Sequence, residues 1–184
     1  MSTEEQLIEL AKEGSASAFS QLVEIYQARL FRFLVLRCRT RADAEDVIQD
    51  TFINAYRYIG TFNPRWRFST WLFRIALRNA ARLSQATEVT TSDEVHDDAS
   101  DPLQACIVDS DRENLWLTAK RILAADAYSA MWLRYIEDMP VREVARTLGR
   151  PMSWTKVTLM RSRRRLSAEL RGSDESTVKS EAYG

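Results

Sequence analysis

Three groups of side chains have the types and spacing to act on charged partners. The first is a row of carboxylates in TRADAEDVIQDTFINAYRYI, from Thr40 to Ile59. At helical spacing Asp43, Asp46 and Asp50 share one side, opposite a stripe of Ala44, Ile48, Phe52, Ala55 and Ile59 that reads as core. Such a row can dock on a basic surface or simply face solvent. Asp43, three residues after Thr40, is also accounted for locally as a capping-box partner in a first turn, whereas Asp50 lies beyond the reach of the helix dipole. The second group follows directly in NPRWRFSTWLFRIALRNAARL, from Asn63 to Leu83. It holds Arg65, Arg67, Arg74, Arg78 and Arg82, no carboxylate, and the interleaved rings of Trp66, Phe68, Trp71 and Phe73. Guanidiniums track a phosphate backbone, and each ring offers an unpaired base a stacking platform worth about 1–3 kcal/mol. Trp71 fits equally well on the inner face of a helix with Leu72, Ile75 and Ala76, whereas Trp66 and Phe68, in an Asn-Pro turn, are expected to face bases. The third group is near the C-terminus, where Trp154, Thr158, Arg161 and Arg165 fall opposite Thr155, Leu159, Leu166 and Leu170. That outward face presents donors for phosphate oxygens and for guanine edges in a major groove, although arginines in last turns also suit the helix dipole.

Catalytic chemistry is not expected. His96 is the sole histidine, so no nucleophile and base can be paired, and no glycine-rich phosphate loop is present. Cys38 and Cys106 make neither a disulfide framework nor a zinc-ligand spacing, so no metal and no cofactor is expected, and a reducing, cytoplasmic compartment fits. No apolar run reaches the roughly 20 residues of a membrane span, and Met1 to Lys12 lacks the apolar core of a signal peptide. The 26 basic and 26 acidic residues cancel, but they are segregated along the chain, and local patches matter more than their sum.

The elements that position these groups read as helices throughout, since Gly and Pro are scarce outside a few joints. A short helix is expected over Ser2 to Glu13, with Thr3 and Gln6 in a capping-box pattern. A long one opens at Ser17 with Phe19, Leu22, Val23, Tyr26, Leu30, Phe33 and Leu34 on one face, and Arg29, Arg32, Arg37, Arg39 and Arg41 crowd its far end. With the acidic and the Arg/aromatic helices they make a bundle over residues 1–83, large enough to close a small core. Residues 84–113 are acidic and rich in Ser and Thr, a flexible-linker composition. Its roughly 28 residues reach about 100 Å extended and about 30 Å as a coil, enough to join modules reading DNA a turn or two apart. Helical periodicity returns over residues 114–171. Leu115, Leu117, Ile122 and Leu123 mark one helix, and Ala130, Met131, Leu133, Tyr135 and Ile136 a second that ends before Asp138. A brief helix with Val141, Val144, Ala145 and Leu148 stops at Gly149, and a basic helix can begin at Pro151, which is helix-turn-helix punctuation. The tail, residues 172–184, is polar and expected to be disordered.

DAED at Asp43 to Asp46, QDTF at Gln49 to Phe52 and FSTWLFRIA at Phe68 to Ala76 resemble conserved region 2 of the extracytoplasmic-function sigma factors of bacterial RNA polymerase. YIEDMPVREVARTLG and KVTLMRSRRRL resemble region 4 of the same class. The resemblance implies an all-α protein of two small helical domains, region 2 and region 4, joined by a flexible acidic linker. It implies that Asp43, Glu45, Asp46, Gln49 and Asp50 bind the beta-prime clamp helices of core polymerase, with the beta flap as a second contact. It implies that the minus-10 strand is held by Asn63, Arg65, Trp66, Arg67, Phe68, Ser69, Thr70, Trp71 and Arg74, a flipped base entering a pocket near Asn63 to Thr70, and that Arg78 or Asn79 faces the bases. Minus-35 contacts fall to Trp154, Lys156, Thr158, Arg161, Arg164 and Arg165. An anti-sigma factor is a further implied partner.

Some positions depart from the family pattern. Lys156-Val157-Thr158 stands where Lys-Ser-Arg is common, Trp154 where a small residue is usual, Ala125-Asp126 where Leu-Pro is frequent, and Asn79 comes one place late. Two other functions share these features. A helix-turn-helix regulator would bind duplex DNA without polymerase, and a polymerase-docking adaptor would bind the enzyme without reading promoters.

Overall fold

The computed structural model describes residues 3–90 and 111–181. They form eight α-helices and a short 3-10 turn, with no strand among the described residues. The chain divides into two compact units, within Met1–Ile107 and Val108–Gly184.

The N-terminal unit holds α1 (Thr3–Lys12), α2 (Ala16–Arg37), α3 (Arg41–Tyr58), the 3-10 turn Ile59–Thr61 and α4 (Phe68–Thr90). Ser15, not Ser17, opens α2, its hydroxyl accepting the Ala18 N–H at 3.2 Å. The spacing of Leu22, Tyr26, Leu30, Phe33 and Leu34 buries one side of α2 completely, as the sequence pattern expects. Opposite it stand Leu72, Phe73 and Ala76 of α4, each with no exposed surface. Each large side chain removed from water contributes roughly 1.5–3 kcal/mol. Tilted ring pairs, Phe33 with Phe73 and Tyr26 with Phe68, both at 5.4 Å, join α2 to α4. The Tyr26 hydroxyl donates to Glu4 of α1 at 2.7 Å. Burial first, and then that bond, holds its phenol well above the usual tyrosine range.

α3 begins as its sequence announces. Thr40 Oγ1 accepts the Asp43 N–H at 3.0 Å, and the Asp43 carboxylate accepts the Thr40 N–H at 3.1 Å, a complete capping box. Its buried stripe differs from the expected one: Ala44, Val47, Thr51 and Ala55 are buried, while Ile48 and Phe52 are half-buried. α3 packs against both α2 and α4, and a threonine can sit on that seam because its hydroxyl donates to its own Val47 carbonyl at 2.6 Å.

The C-terminal unit holds α5 (Asp111–Ile122), α6 (Ala125–Tyr135), α7 (Val141–Leu148) and α8 (Met152–Glu181). Its core is built on Trp116, whose ring meets Tyr128 at 5.9 Å and Trp132 at 4.9 Å, both edge-on. Leu133, Met139, Val144, Leu159 and Leu166 complete the packing. Among the described side chains of α5, Trp116 and Ala119 are buried, whereas the expected Leu115, Leu117, Ile122 and Leu123 are half-buried. Gly149 stops α7 in the left-handed region at φ 64°, its N–H closing the last turn. Thr155 bonds back to the Pro151 carbonyl and α8 starts. On α8 Leu159 and Leu166 are buried, but Leu170 is exposed, contrary to its expected inward place.

Two further boundaries differ from the sequence expectation. α4 continues to Thr90, seven residues beyond Leu83, because Ser84 to Thr90 contain no Pro or Gly to stop it. α8 continues to Glu181, where a disordered tail was expected from Gly172. The single Gly172 costs about 1 kcal/mol in a helix, and no proline follows it. Most of the expected linker, with His96 and Cys106, lies outside the described residues, as do residues 182–184.

Candidate nucleic-acid interface

On α3 the carboxylates divide into two kinds. Asp43 is half-buried and committed to the cap, and Glu45 is paired with Arg41 at 2.9 Å. Asp46, Gln49 and Asp50 are exposed, and Asp46 and Asp50 lie one turn apart. The same helix continues into apolar surface that sequence periodicity had no reason to flag. Ile53 and Tyr56 are nearly half exposed, and with Phe19, Phe52 and Arg57 they line a shallow cavity of about 530 Å³. α3 therefore presents acids in its first half and uncovered apolar groups in its second, a combination suited to a protein partner.

The Arg/aromatic segment resolves into an outer and an inner set. Asn63, Arg65, Arg67, Arg74 and Arg78 are exposed, and Trp66 and Trp71 are half-buried. Asn63 shapes its own turn, its carbonyl Oδ1 accepting the Arg65 N–H at 2.9 Å. Phe68, Ser69 and Thr70 are 3%, 6% and 2% exposed, so the structure buries three of the residues expected at the minus-10 strand. Phe68 is drawn inward by its ring contacts with Tyr26, Phe62 and Trp71, all between 5.4 and 5.5 Å. A base pocket at Asn63 to Thr70 is correspondingly closed on its Phe68 side.

The open space lies one step further on, between α3 and α4. Asn54, Tyr58, Trp71, Ile75, Arg78 and Arg82 surround a cleft of about 450 Å³. Asn79 forms its back wall at 7% exposure, donating from Nδ2 to Thr51 Oγ1 at 3.3 Å and accepting from Asn54 Nδ2 at 3.3 Å. Asn79 thus clamps α3 to α4, and Arg78 is the neighbour that faces outward. Asn54 and Tyr58 belong to the acidic helix, and nothing in their local sequence ties them to the arginines of α4.

In the C-terminal unit the basic residues of α8 occupy two flanks of the helix. Lys156, Arg163, Arg164 and Arg171 join Arg134 and Tyr135 around a groove of about 700 Å³. Trp154, Arg161 and Arg165 share the other flank at helical spacing, with the half-buried Thr158 between. The expected set is therefore divided, with Lys156 and Arg164 in the groove and the others outside it. Arg163, Arg171 and Arg134 were absent from that set because basic residues off the outward stripe look like ordinary solvated charge. Trp154 is not a free ring. Arg150 lies over it at 5.3 Å and is itself held by Asp126 at 2.6 Å, so Ala125-Asp126, the departure from Leu-Pro, anchors the start of α8.

Among the described residues no group of His, Cys, Asp and Glu could hold a metal ion, and no helix is long and apolar enough to cross a membrane.

The profile of sigma-70 region 2 matches residues 22–86, which span α2 to α4. The RNA polymerase sigma-H factor of Pseudomonas aeruginosa is 28% identical over 181 residues, covering 91% of this chain and 93% of that protein. The ECF RNA polymerase sigma factor BldN of Streptomyces coelicolor is 32% identical over 171 residues, covering 88% of this chain and 64% of that protein. Among solved structures, CnrH in complex with the cytosolic domain of CnrY superposes with a TM-score of 0.68 at 25% identity, over 93% of this chain and 99% of that one. The sigma factor RpoE of Bartonella quintana, in complex with the anti-sigma factor NepR, shares the fold with a TM-score of 0.64 at 21% identity, over 83% and 96% of the two chains. Motifs, fold and relatives agree, and the chain belongs to the extracytoplasmic-function class of the sigma-70 family of RNA polymerase sigma factors.

Proposed function

We propose that this sigma factor works by separating enzyme-binding from DNA-binding surfaces on different helices. Exposed Asp46, Gln49 and Asp50 of α3 dock on a basic surface of core polymerase, the beta-prime clamp helices in the family, while the adjoining Ile53 and Tyr56 supply apolar contact. Asp43 and Glu45 contribute by fixing the start of that helix and its Arg41 pair. The cleft between α3 and α4 captures an unpaired base of the minus-10 strand, offsetting its unstacking, while Arg65, Arg67, Arg74 and Arg82 follow the phosphates.

The C-terminal unit sets the register at minus-35. Arg161, Arg164, Arg165 and Lys156 of α8 carry phosphate and base-edge contacts, and Trp154 and Thr158 shape that surface. The groove at Tyr135 and Met160 offers the beta flap an apolar floor, with Arg134, Arg163 and Arg171 as the part of its rim not assigned to DNA. The protein supplies specificity, and the bond-forming chemistry belongs to the polymerase, in the cytoplasm. An anti-sigma factor, such as the NepR bound to RpoE, would inhibit by covering these same surfaces.

The carrying observation is the pair of exposed carboxylates at Asp46 and Asp50, beyond the capping turn that explains Asp43. Affinity for core polymerase tests it. The Asp46→Arg, Asp50→Arg double variant is expected to lose at least tenfold in affinity while keeping the helical circular dichroism of the parent. Unchanged affinity, or tight duplex-promoter binding without polymerase, would overturn the reading and favour a free-standing regulator.

A further inference from the structure

Within the cleft between α3 and α4 the polar groups are not balanced between donors and acceptors. Arg78 and Arg82, both exposed and one turn apart on α4, bring only donors. The amide of Asn79 is spent on both sides, its nitrogen on Thr51 and its oxygen on Asn54. Asn54 has used its amino group in the same exchange, and the Thr61 hydroxyl donates to the Tyr58 carbonyl at 2.7 Å. Beside the two guanidiniums the lining keeps Asn54 Oδ1 and the Tyr58 hydroxyl on its α3 side, so the donors concentrate on the α4 side. Trp71 and Ile75 lie two turns and one turn before Arg78 on the same face of α4, and Tyr58 faces them from α3. An apolar platform for a ring thus adjoins a planar fork of donors.

We infer that the base this cleft accepts is guanine, read by Arg78 through its O6 and N7, with Arg82 on the neighbouring phosphate. The inference rests on the base-capturing role proposed above. On its Hoogsteen edge guanine presents two adjacent acceptors, O6 and N7, matched to a guanidinium. On the corresponding edge adenine and cytosine place an amino group, a donor, where Arg78 also donates, and thymine offers one acceptor beside a methyl group. Cytosine O2 and N3, open in an unpaired base, are the competing acceptor pair that a cytosine strand tests. Arg78 serves as the reader because it lies nearest the Trp71 platform, while Arg82 is a further turn away, at the distance of a backbone.

The test uses the full-length chain with fluorescent twelve-nucleotide thymidine strands carrying one central guanine, adenine, cytosine or 7-deazaguanine, with anisotropy read at low salt. Guanine is expected to bind about tenfold tighter than the other bases, and 7-deazaguanine, which lacks the N7 acceptor, to lose most of that preference. Arg78→Ala should abolish the preference. Arg78→Lys should keep most of the affinity but not the selectivity, since an ammonium lacks the fork. Trp71→Ala should weaken every strand alike. Binding of all strands with equal affinity, or a guanine preference that survives Arg78→Ala, would overturn the assignment while leaving base capture standing. Failure to bind any single strand better than duplex DNA would overturn both.

Discussion

Arg78 and Asn79 are adjacent on α4 and answer to different forces. Asn79 is a buried amide whose two hydrogen bonds tie α4 to Thr51 and Asn54 of α3. Removing it cuts the tie between the helices and takes a partner from the fully buried Thr51, so Asn79→Ala is expected to lower unfolding free energy by about 1–3 kcal/mol, seen as a lower urea midpoint. Arg78 is exposed and holds no hydrogen bond or ion pair among the described residues, so Arg78→Ala should leave the midpoint within about 0.5 kcal/mol and act on single-strand affinity instead. The reverse pattern would show the two roles to be exchanged. Sequence could not choose between them because a buried amide and a surface amide look alike until the partner helix is in place. The same limit hid Thr51, a polar residue at full burial, and Trp116, a core ring outvoted by the leucines around it. Phe68 failed in the opposite sense. Its Asn-Pro setting suggests a surface turn, yet three neighbouring rings make burial the better outcome.

Helix ends were legible where a cap fixes them within a few residues, as at the start of α3 and the end of α7, and not at the start of α2 or the ends of α4 and α8. Thr40 and Asp43 form the box their spacing implies, and Thr40→Ala should cost about 1 kcal/mol, measurable by urea unfolding. Gly149 ends α7 at a positive φ that a Cβ disfavours, although no atom lies within 4 Å of the added carbon. Gly149→Ala is therefore expected to destabilise the C-terminal unit by about 1–2 kcal/mol through backbone strain alone. A smaller effect from Gly149→Asn would identify that cause, since Asn tolerates the left-handed region better. The faces of elements were less legible than the capped ends. The α3 stripe shifted from Ile48 and Phe52 to Val47 and Thr51 because the helix packs on two neighbours at once. An apolar period reports the direction of one core, and it cannot assign a seam between two.

At the scale of the whole molecule, the zero net charge conceals an acidic ridge on α3 and cationic surfaces on α4 and α8. The family motifs and the helical class were readable directly, because periodicity and punctuation recur over most of the chain. The cleft was not, since it joins Tyr58 to Arg78 across two helices and exists only once both are packed. Each unit carries its own core, so fragments 1–107 and 108–184 are each expected to keep helical circular dichroism and unfold cooperatively in urea. A fragment without helicity would contradict that division. The central claim is that the exposed acids of α3 grip the transcription machinery while α4 and α8 grip the template. In-vitro transcription on sheared genomic DNA from the native host, with core polymerase and the purified chain, tests it most directly. The account predicts discrete promoter-initiated transcripts with the parent protein and none with Asp46→Arg, Asp50→Arg. Equal transcription from both proteins would contradict it.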